Sequence, residues 1–230
     1  MMRVISLVPS VTETLRAWQV EPVAVTRFCE QPDLPTVGGT KNPDLDAIVA
    51  LRPDLVVLDR EENRKQDADA LSAAGIALHV LHVTALDDVG PAMEGLARAV
   101  GAKELSTPSA GASPAVVGAI PVWVPIWRRP WMAIGSGTYG SSILAAAGFE
   151  VRAGGTGRYP EVALEQAASI GARLVLAPSE PYPFKERHRR ELESVAPVEM
   201  VDGKDLFWWG VRTPGALARL GALAHRLTSG

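Results

Sequence analysis

Aromatic side chains and arginines are the residues of this sequence whose types and placement are most informative. Aromatic residues make up only 6% of the chain, yet most of them lie in its second half. Most stand beside Pro, Gly or Arg in predicted loops at the ends of strands, where open α/β sheets bind ligands. Together with Arg27, Arg128 and Arg212, they predict a site for a flat apolar ligand with polar or anionic edges. The aromatic residues in question are Trp123, Trp127, Trp131, Tyr159, Tyr182, Phe184, Phe207, Trp208 and Trp209.

The alternative for each loop aromatic is a structural one, in which the ring packs as a lid over the hydrophobic core. Trp123 is expected in the core itself, because it lies in the middle of a predicted strand. For the other rings the sequence leaves both interpretations open.

A glycine-rich stretch indicates a second possible kind of ligand, a dinucleotide. Gly135–Gly140 follows a predicted strand, opens a predicted helix and matches the G-x-G-x-x-G pattern of dinucleotide-binding folds. The helix before Gly148 has only about two turns at 3.6 residues per turn, and Glu150 comes too early for the acid that binds the ribose. A tight strand-to-helix turn therefore explains the pattern as well. A cytoplasmic nucleotide-binding enzyme or regulator stays as an alternative function.

Metal ligation and nucleophilic catalysis find little support. His79 and His82 are three residues apart on a predicted strand, so they point to opposite faces of the sheet. His188 and His225 lie on predicted charged or terminal helices, where a solvated surface position is expected. The chain has no G-x-S-x-G turn for Ser–His–acid chemistry. We therefore predict no catalytic residues, no protein-ligated metal and no enzyme activity.

Composition places the chain among ordinary globular proteins. Its 230 residues allow one large or two small domains, and 47% are hydrophobic while 21% are charged. A net charge of -3 gives no electrostatic reason to expect binding to nucleic acid or insertion at an anionic membrane. Cys29 is the single cysteine, which excludes an internal disulfide. No apolar run approaches the length of a membrane span, and the start of the sequence does not read as a secretory leader.

Two stretches of the chain repeat one pattern of elements, and this repeat predicts the fold. Residues 43–62 and 160–180 each begin with Pro and an acid, continue as an amphipathic helix, a turn and a buried strand, and end in an acid. Predicted strands and helices alternate along the rest of the chain, which indicates mostly parallel sheets. The predicted fold is therefore α/β, with two similar lobes and a ligand cleft between them.

A stretch rich in Ser, Thr and Pro divides the predicted lobes. We expect an N-terminal α/β lobe over residues 1–102, including the start of a connecting helix. A linker is expected at 103–119 and a C-terminal α/β lobe at 120–230.

Local signals predict where several elements begin. Ser10 at the N-cap and Glu13 three residues later have the pattern of a capping box. Thr84 is expected to cap a helix that reaches Val100. The second lobe is expected to begin with a strand that contains Trp123, and residues 185–195 are expected to form a charged helix.

Eight short motifs run in order through both predicted lobes. They are SLVPSVTE at 6–13, RFC at 27–29, VGGTKNP at 37–43, EENRK at 61–65, IWRRPWM at 126–132, GRYPEV at 157–162, SEPYPFK at 179–185 and WWGVR at 208–212. Together they resemble the cobalamin-binding branch of the class III periplasmic binding proteins, also called helical-backbone metal receptors. These are substrate-binding components of ABC importers, with two α/β lobes joined by one long helix.

The resemblance implies a non-enzymatic, monomeric binding protein whose ligand is cobalamin or a related metal chelate. It implies no intrinsic cofactor, because any metal arrives inside the ligand. The residues that match the ligand-binding walls of the family are Arg27, Phe28 and Cys29 in the first lobe, and Trp127, Trp131, Tyr159, Trp208, Trp209 and Arg212 in the second. The family docks its permease through one surface acid on each lobe, and the residues that match are Glu62 and Glu180. Cys29 is either an axial thiolate ligand of the metal or a small buried residue.

Two features depart from the family pattern. The first is that Pro108, Gly111 and Pro114 interrupt the region of the connecting helix, so a shortened helix is expected. The second is that the sequence shows no export signal. A periplasmic or extracellular location is therefore expected if a leader has been removed, and a cytoplasmic one if the sequence is the complete translation product. A cytoplasmic relative that binds a corrinoid or another chelate without a transporter is therefore a further alternative.

Overall fold

The computed structural model describes residues 2–102 and 118–229 of the chain. The predicted linker at 103–119 lies almost entirely outside these residues, and so does the predicted shortening of a connecting helix. Within the described residues, no helix is both long and apolar enough to cross a membrane.

The described residues fall into two compact units. The first comprises residues 2–83, 87–102 and 209–212, and the second comprises residues 84–86, 118–208 and 213–229. The domain limits expected from the sequence stay a prediction.

The first unit is built on a four-stranded parallel sheet. In chain order its elements are β1 (Val4–Ser6), α1 (Pro9–Ala17), β2 (Ala24–Val25), β3 (Gly38–Gly39), β4 (Asn42–Pro43), α2 (Leu45–Ala50), β5 (Leu55–Asp59), α3 (Lys65–Ala73), β6 (Leu78–Leu81) and α4 (Val89–Val100). The strand order is β2-β1-β5-β6, while β3 and β4 form a separate antiparallel hairpin. Strands β1 and β5 are buried throughout, as expected for central strands of a parallel sheet that is covered on both faces.

Helix α1 begins at Pro9, earlier than predicted. Proline suits the first helical position, because its φ is already close to the helical value and no N–H is needed there. The N-cap is Val8 in an extended conformation, and no side chain caps the helix. Ser10 therefore lies buried inside the helix, and the predicted capping box with Glu13 is wrong.

Helix α4 begins later than predicted. A short 3₁₀ turn covers Leu86–Asp88, and Asp88 is the N-cap of α4. The prediction that Thr84 caps this helix is wrong. The Leu86 N–H at the start of the 3₁₀ turn donates to the Ser142 hydroxyl at 2.8 Å, so a tertiary contact binds this N-terminal group.

The second unit repeats the architecture of the first. Its elements are β7 (Ile120–Trp123), β8 (Pro125–Trp127), β9 (Met132–Ala133), α5 (Tyr139–Ala146), β10 (Phe149–Val151), α6 (Leu164–Ala167), β11 (Leu174–Pro178), α7 (Arg189–Leu192), β12 (Val198–Val201), α8 (Lys204–Phe207) and α9 (Thr213–Thr228). The parallel sheet has the order β10-β7-β11-β12, which corresponds strand by strand to β2-β1-β5-β6. The predicted α/β class with mostly parallel sheets is confirmed. The predicted repeat also matches, since α2 leads into β5 as α6 leads into β11.

Two predicted elements of the second unit are shorter in the structure. The strand expected at Trp123 is β7, which ends at Trp123, and β8 follows it and pairs antiparallel with β9. Pro125 starts β8 and lacks the N–H that a continued parallel ladder requires. The helix expected at 185–195 is a 3₁₀ turn at Glu186–His188 followed by the short α7.

A short segment after α8 packs in the first unit, against α1. Arg212 forms a bidentate ion pair with Glu13, with Nε–Oε2 and Nη2–Oε1 distances of 3.0 and 2.9 Å. The Val211 N–H donates to Thr14 Oγ1 at 3.3 Å. Gly210 has φ +117°, and a Cβ at this position would lie 2.3 Å from Thr14 Oγ1. The segment can approach α1 this closely because Gly210 has no side chain.

We expect Gly210→Ala to lower the free energy of unfolding by at least about 2 kcal/mol, because it adds backbone strain and a steric overlap. Gly75→Ala is the matched control, since Gly75 also has a positive φ of +79° but a Cβ added there would meet no atom within 4 Å. The control should lose only the backbone contribution, about 1 kcal/mol. Urea unfolding followed by circular dichroism measures both. Equal losses in the two variants would contradict the packing argument.

Candidate functional site

In the first unit, the loop after β2 presents a cation next to an exposed ring. The Arg27 N–H donates to the Gly38 carbonyl at 2.9 Å, which ties the loop to the β3–β4 hairpin. The Arg27 guanidinium carbon lies 4.9 Å from the centre of the Phe28 ring, and Phe28 is 49% exposed. A Cβ at Gly39 would lie 3.1 Å from both side chains. The hairpin glycine therefore leaves room for the pair, and the loop offers an aromatic surface to solvent.

Cys29 follows Phe28 but is buried. Its Sγ lies 3.2 Å from the hydroxyl oxygens of Thr12 and Thr26. Burial raises the pKa of the Cys29 thiol and the negative charge of Glu62 adds to this, while the threonine hydrogen bonds oppose it. The thiol therefore stays protonated at neutral pH. The geometry favours the alternative in which Cys29 is a small buried residue, and it opposes an axial thiolate.

In the second unit, rings from three chain segments pack together and form an aromatic cluster. Trp131 stacks on Phe184 with 6.0 Å between ring centres and an interplanar angle of 5°. Tyr182 lies 4.7 Å from Phe184, and Trp127 meets Tyr182 edge-on at 5.7 Å. Phe184 is buried, whereas Trp127 is 46% exposed. The cluster thus extends from the core of the unit to an exposed indole ring. Its members are Trp127, Trp131, Tyr182, Phe184 and His188.

An ion pair lies against this cluster. Arg128 binds Glu191 through two hydrogen bonds, of 2.9 and 3.3 Å. The guanidinium carbon of Arg128 is 6.0 Å from the Trp131 ring centre. The charge of Arg128 is therefore already paired inside the unit, and the pair holds the loop that carries Trp127.

His188 closes the other side of the cluster. Its Nδ1 accepts the Lys185 N–H at 3.0 Å. Burial lowers the pKa of His188, the charges of Arg187 and Arg128 lower it further, and Glu191 acts in the opposite direction. The ring is therefore neutral at pH 7 and can accept this hydrogen bond.

A second cation–aromatic pair lies in the loop after β10. The Arg158 guanidinium carbon is 5.8 Å from the Tyr159 ring centre, and Tyr159 is 41% exposed. Arg158 Nε also donates to the Gly137 carbonyl at 2.8 Å, which fixes the loop to the glycine-rich turn. This pair resembles that of Arg27 and Phe28 in the first unit.

The glycine-rich turn Gly135–Gly140 has a structural explanation. A Cβ at Gly135 would lie 2.2 Å from the Gly157 carbonyl oxygen. The Ser141 N–H at the start of α5 is already bound by Thr138 Oγ1 at 3.1 Å. Strand β9 before the turn pairs antiparallel with β8, so the turn does not belong to the parallel βαβ unit of a dinucleotide site. The nucleotide alternative gains no support from this geometry.

Glu180 and Trp208, predicted for docking and for ligand binding, bind each other. Trp208 Nε1 donates to Glu180 Oε2 at 3.1 Å, and Lys204 Nζ lies 4.7 Å from the Trp208 ring centre. A Cβ at Gly203 would lie 2.6 Å from three atoms of Glu180, so the glutamate is closely packed. Trp209 is buried. Within its own unit, Glu180 therefore positions the Trp208 ring through this hydrogen bond.

The structure places the predicted site residues in two kinds of surroundings. Those exposed to solvent are Arg27, Phe28 and Tyr159 on loops and Trp127 at the end of β8. Those that are buried, or are partly buried and engaged in contacts within their own unit, are Cys29, Trp131, Trp208, Trp209, Arg212, Glu62 and Glu180. Their roles in ligand binding or docking stay predictions.

Tyr182 and Phe184 belong to the aromatic residues that the sequence singled out, but not to those matched to the ligand-binding walls of the family, and His188 belongs to neither set. The expectation that His188 is a solvated surface residue is wrong, because its ring packs 5.6 Å from Tyr182 and 5.8 Å from Phe184. Among the described residues, no three His, Cys, Asp or Glu side chains lie close enough together to hold a metal ion.

Sequence comparison identifies the first part of the chain. Residues 4–104 match the family model described as periplasmic binding protein. The vitamin B12-binding protein of Salmonella typhi is 31% identical over 99 residues, which is 41% of this chain and 37% of that protein. That of Salmonella typhimurium is 30% identical over the same length. The chain thus aligns with well under half the length of the curated relatives it matches.

Structure comparison extends over nearly the whole chain. The periplasmic vitamin B12 binding protein BtuF of Vibrio cholerae has a TM-score of 0.82 at 19% identity, over 99% of this chain and 98% of that one. A periplasmic heme binding protein from Pseudomonas aeruginosa has a TM-score of 0.80 at 20% identity, over 98% and 93%. At these identities the likeness establishes the fold. The resemblance carried by the motifs is thereby confirmed: residues 4–104 are similar in sequence to the periplasmic binding proteins, and the chain has the class III fold of their vitamin B12- and heme-binding members.

Proposed function

We propose that this chain is a non-enzymatic substrate-binding protein for cobalamin or a related metal chelate and that it serves an ABC importer. The observation that carries the proposal is the exposure of three rings. Among the large hydrophobic side chains exposed in the described residues, the aromatic ones are Phe28, Trp127 and Tyr159. All three belong to the ligand-binding walls predicted from the sequence. Phe28 and Tyr159 lie in the loops after the parallel strands β2 and β10, and Trp127 is the last residue of β8, which follows the parallel strand β7. The carboxyl ends of parallel strands are where α/β folds bind ligands.

Covering these rings supplies a substantial free energy of binding. An aromatic side chain has roughly 200 Å² of surface, so half-exposed rings leave about 100 Å² each for a ligand to cover. At about 25 cal/mol per Å², each covered ring contributes about 2.5 kcal/mol before the costs of association are subtracted. A flat macrocycle offers the apolar faces that such rings require.

The polar partners of the rings suit the edges of such a ligand. Arg27 lies beside Phe28, and Arg158 lies beside Tyr159. A guanidinium donates hydrogen bonds to carboxylate or amide oxygens, which surround heme and corrin rings respectively. The metal arrives inside the macrocycle, so the protein needs no ligand set of its own. The periplasmic location in the names of the similar proteins supports a place for this chain outside the cytoplasm.

The permease is the partner that we propose for Glu62 and Glu180. The two acids follow equivalent strands, β5 and β11, in the two units. Glu180 also accepts a hydrogen bond from Trp208, so its charge and the position of that ring are linked.

Replacing Phe28, Trp127 and Tyr159 singly by Ala should weaken cyanocobalamin binding about 10-fold or more in each case, because each ring loses about 100 Å² of covered surface. Isothermal titration calorimetry measures the affinity, and the absorbance retained after desalting shows bound corrinoid. Parallel titration with haemin distinguishes the two kinds of macrocycle. The matched control is Leu227→Ala, since Leu227 is 41% exposed on α9 and lies outside the predicted walls. Unchanged affinity in all three variants would refute the proposed site.

The stability of the second unit should decrease as the pH falls below about 6.5, the pKa of histidine in an unfolded chain. The folded state holds His188 with a lowered pKa, so the unfolded state binds more protons in this window and unfolding becomes easier as the pH falls. His188→Gln should flatten the dependence of Tm on pH between pH 7 and 5. His79 also has a lowered pKa and will leave a residual slope. An identical slope in wild type and His188→Gln would show that the aromatic cluster does not depend on a neutral His188.

Neutralising the docking acids should weaken permease coupling without changing ligand affinity. Glu62→Gln and Glu180→Gln remove the charges, and the glutamine at 180 keeps an acceptor for Trp208. The measurement is the stimulation of ATPase activity of a vitamin B12 importer in lipid nanodiscs by the ligand-loaded protein. Glu165→Gln, at an exposed position on α6, is the control. Full stimulation by both docking variants would remove these residues from the interface.

A further inference from the structure

The outer edge of strand β6 in the first sheet is a surface that the proposed function does not use, and no strand of the described residues pairs with it. Strand β6 lies at the end of the strand order. The Val56 N–H of β5 donates to the Ala77 carbonyl at 2.9 Å, and Val56 is in register with Leu78. Because residues of a parallel strand bond alternately to its two sides, the N–H and C=O groups of Leu78 and Val80 face the open edge.

The corresponding strand of the second unit has a protected edge. There the outward carbonyl of Val198 in β12 accepts a hydrogen bond from the Arg189 guanidinium. Glu199 also places a charge on this strand, 4.0 Å from Arg226. Charged side chains and capped edge groups are the usual protection against the addition of another strand. The residues of β6 are Leu, His, Val and Leu, without Lys, Glu or Pro, and Val80 is 46% exposed.

A cavity opens beside β6 on each face of the sheet. The cavity next to α3 has a volume of about 630 Å³, and its apolar lining consists of Leu58, Ala68, Leu78 and Val80. The cavity next to α4 has a volume of about 330 Å³, and its lining includes His79, Leu81, Pro91 and Gly95. The side chains of an extended strand alternate between the two faces. A strand added to β6 would therefore place its side chains in both cavities.

The charged residues that line the cavity next to α3 are basic at Arg60, Arg64 and Lys65 and acidic at Asp59 and Asp69, so basic residues are in excess by one. Arg60 borders the cavity next to α3, is exposed, and has no ion-pair partner within the described residues. Lys65 borders the same cavity, and its ion pair with Asp69 is almost fully exposed to solvent and therefore weak. On the other face, His79 Nε2 is buried and has no hydrogen-bond partner among the described residues. An acid beside Arg60 and a hydroxyl group beside His79 would satisfy these groups.

We propose that β6 accepts an extended, acidic segment of a partner protein as a fifth strand of this sheet. The outward groups of Leu78 and Val80 supply the backbone hydrogen bonds, as in other cases of strand addition. Apolar side chains of the segment cover Leu78 and Val80 in the cavity next to α3. Hydroxyl side chains enter the cavity next to α4, and the acid of the segment pairs with Arg60.

The probe is a fluorescein-labelled peptide of about six residues that alternates Val and Thr and carries Glu at each end. Val80→Pro removes the outward N–H but leaves the hydrogen bonds between β5 and β6 intact, since proline is tolerated at a strand edge. Val80→Ala is the matched control, because it keeps this N–H. Fluorescence anisotropy should show binding to wild type, a loss of about 10-fold or more with Val80→Pro, and a change of only about threefold with Val80→Ala. Arg60→Glu should weaken binding, and a peptide with Lys in place of Glu should bind less tightly.

Four outcomes would overturn the proposal. The first is peptide binding by Val80→Pro that equals wild type. The second is the absence of binding to wild type at about 1 mM peptide. The third is equal binding of a peptide whose backbone amides are methylated. The fourth is a concentration-dependent dimer that Val80→Pro abolishes, which would make a second copy of this chain the occupant of the edge. Cyanocobalamin titration of Val80→Pro checks that the variant is folded, and the methylated peptide tests the proposal on wild type alone. Failure of peptide binding with intact cobalamin binding would leave the proposed function unaffected.

Discussion

The covering of both faces of each parallel sheet is the constraint from which the rest of this structure follows. Strands β1, β5 and β11 are buried along their whole length, and their side chains are mostly apolar. Functional groups can therefore reach solvent only where the strands end and loops begin. Phe28, Trp127 and Tyr159 are exposed at such positions, and the same constraint acts in both units because both have the same strand order.

The end of β5 shows how a buried strand anchors the loop that follows it. The side-chain oxygen of Asn63 accepts a hydrogen bond from the Asp59 N–H at 2.9 Å. The side-chain nitrogen of Asn63 donates to the carbonyls of Leu7 at 3.2 Å and Thr40 at 3.0 Å. One buried side chain thus joins β5, the end of β1 and the β3–β4 hairpin, and satisfies backbone groups that water cannot reach. Burial raises the pKa of Asp59, whose Oδ1 accepts the following turn's Glu61 N–H at 2.7 Å. The loop that carries Glu62 starts from this fixed point.

Much of the fold could be predicted from the sequence, because the signals are local and repeated. The runs that form β5 and β11 are apolar and are bounded by turn residues, so they indicate buried strands without any knowledge of their neighbours. The errors concern residues whose positions depend on tertiary contacts. Serine often caps helices, but Pro9 sets the start of α1, so Ser10 lies inside the helix. A 3₁₀ turn precedes α4, and the Leu86 N–H at its start binds Ser142. His188 is buried by rings that no helical pattern shows.

The candidate site was less predictable, because the sequence alone does not distinguish rings that face solvent from rings that support them. Trp127 and Trp131 lie in the same β8–β9 hairpin and next to arginines, yet Trp127 is half-exposed whereas Trp131 stacks on Phe184. The supporting rings still matter for binding. Trp127 is held by Tyr182, which is held in turn by Phe184, so its position is set before a ligand arrives. A ring that is already ordered loses little conformational freedom on binding, so more of the free energy of covering it is available as affinity.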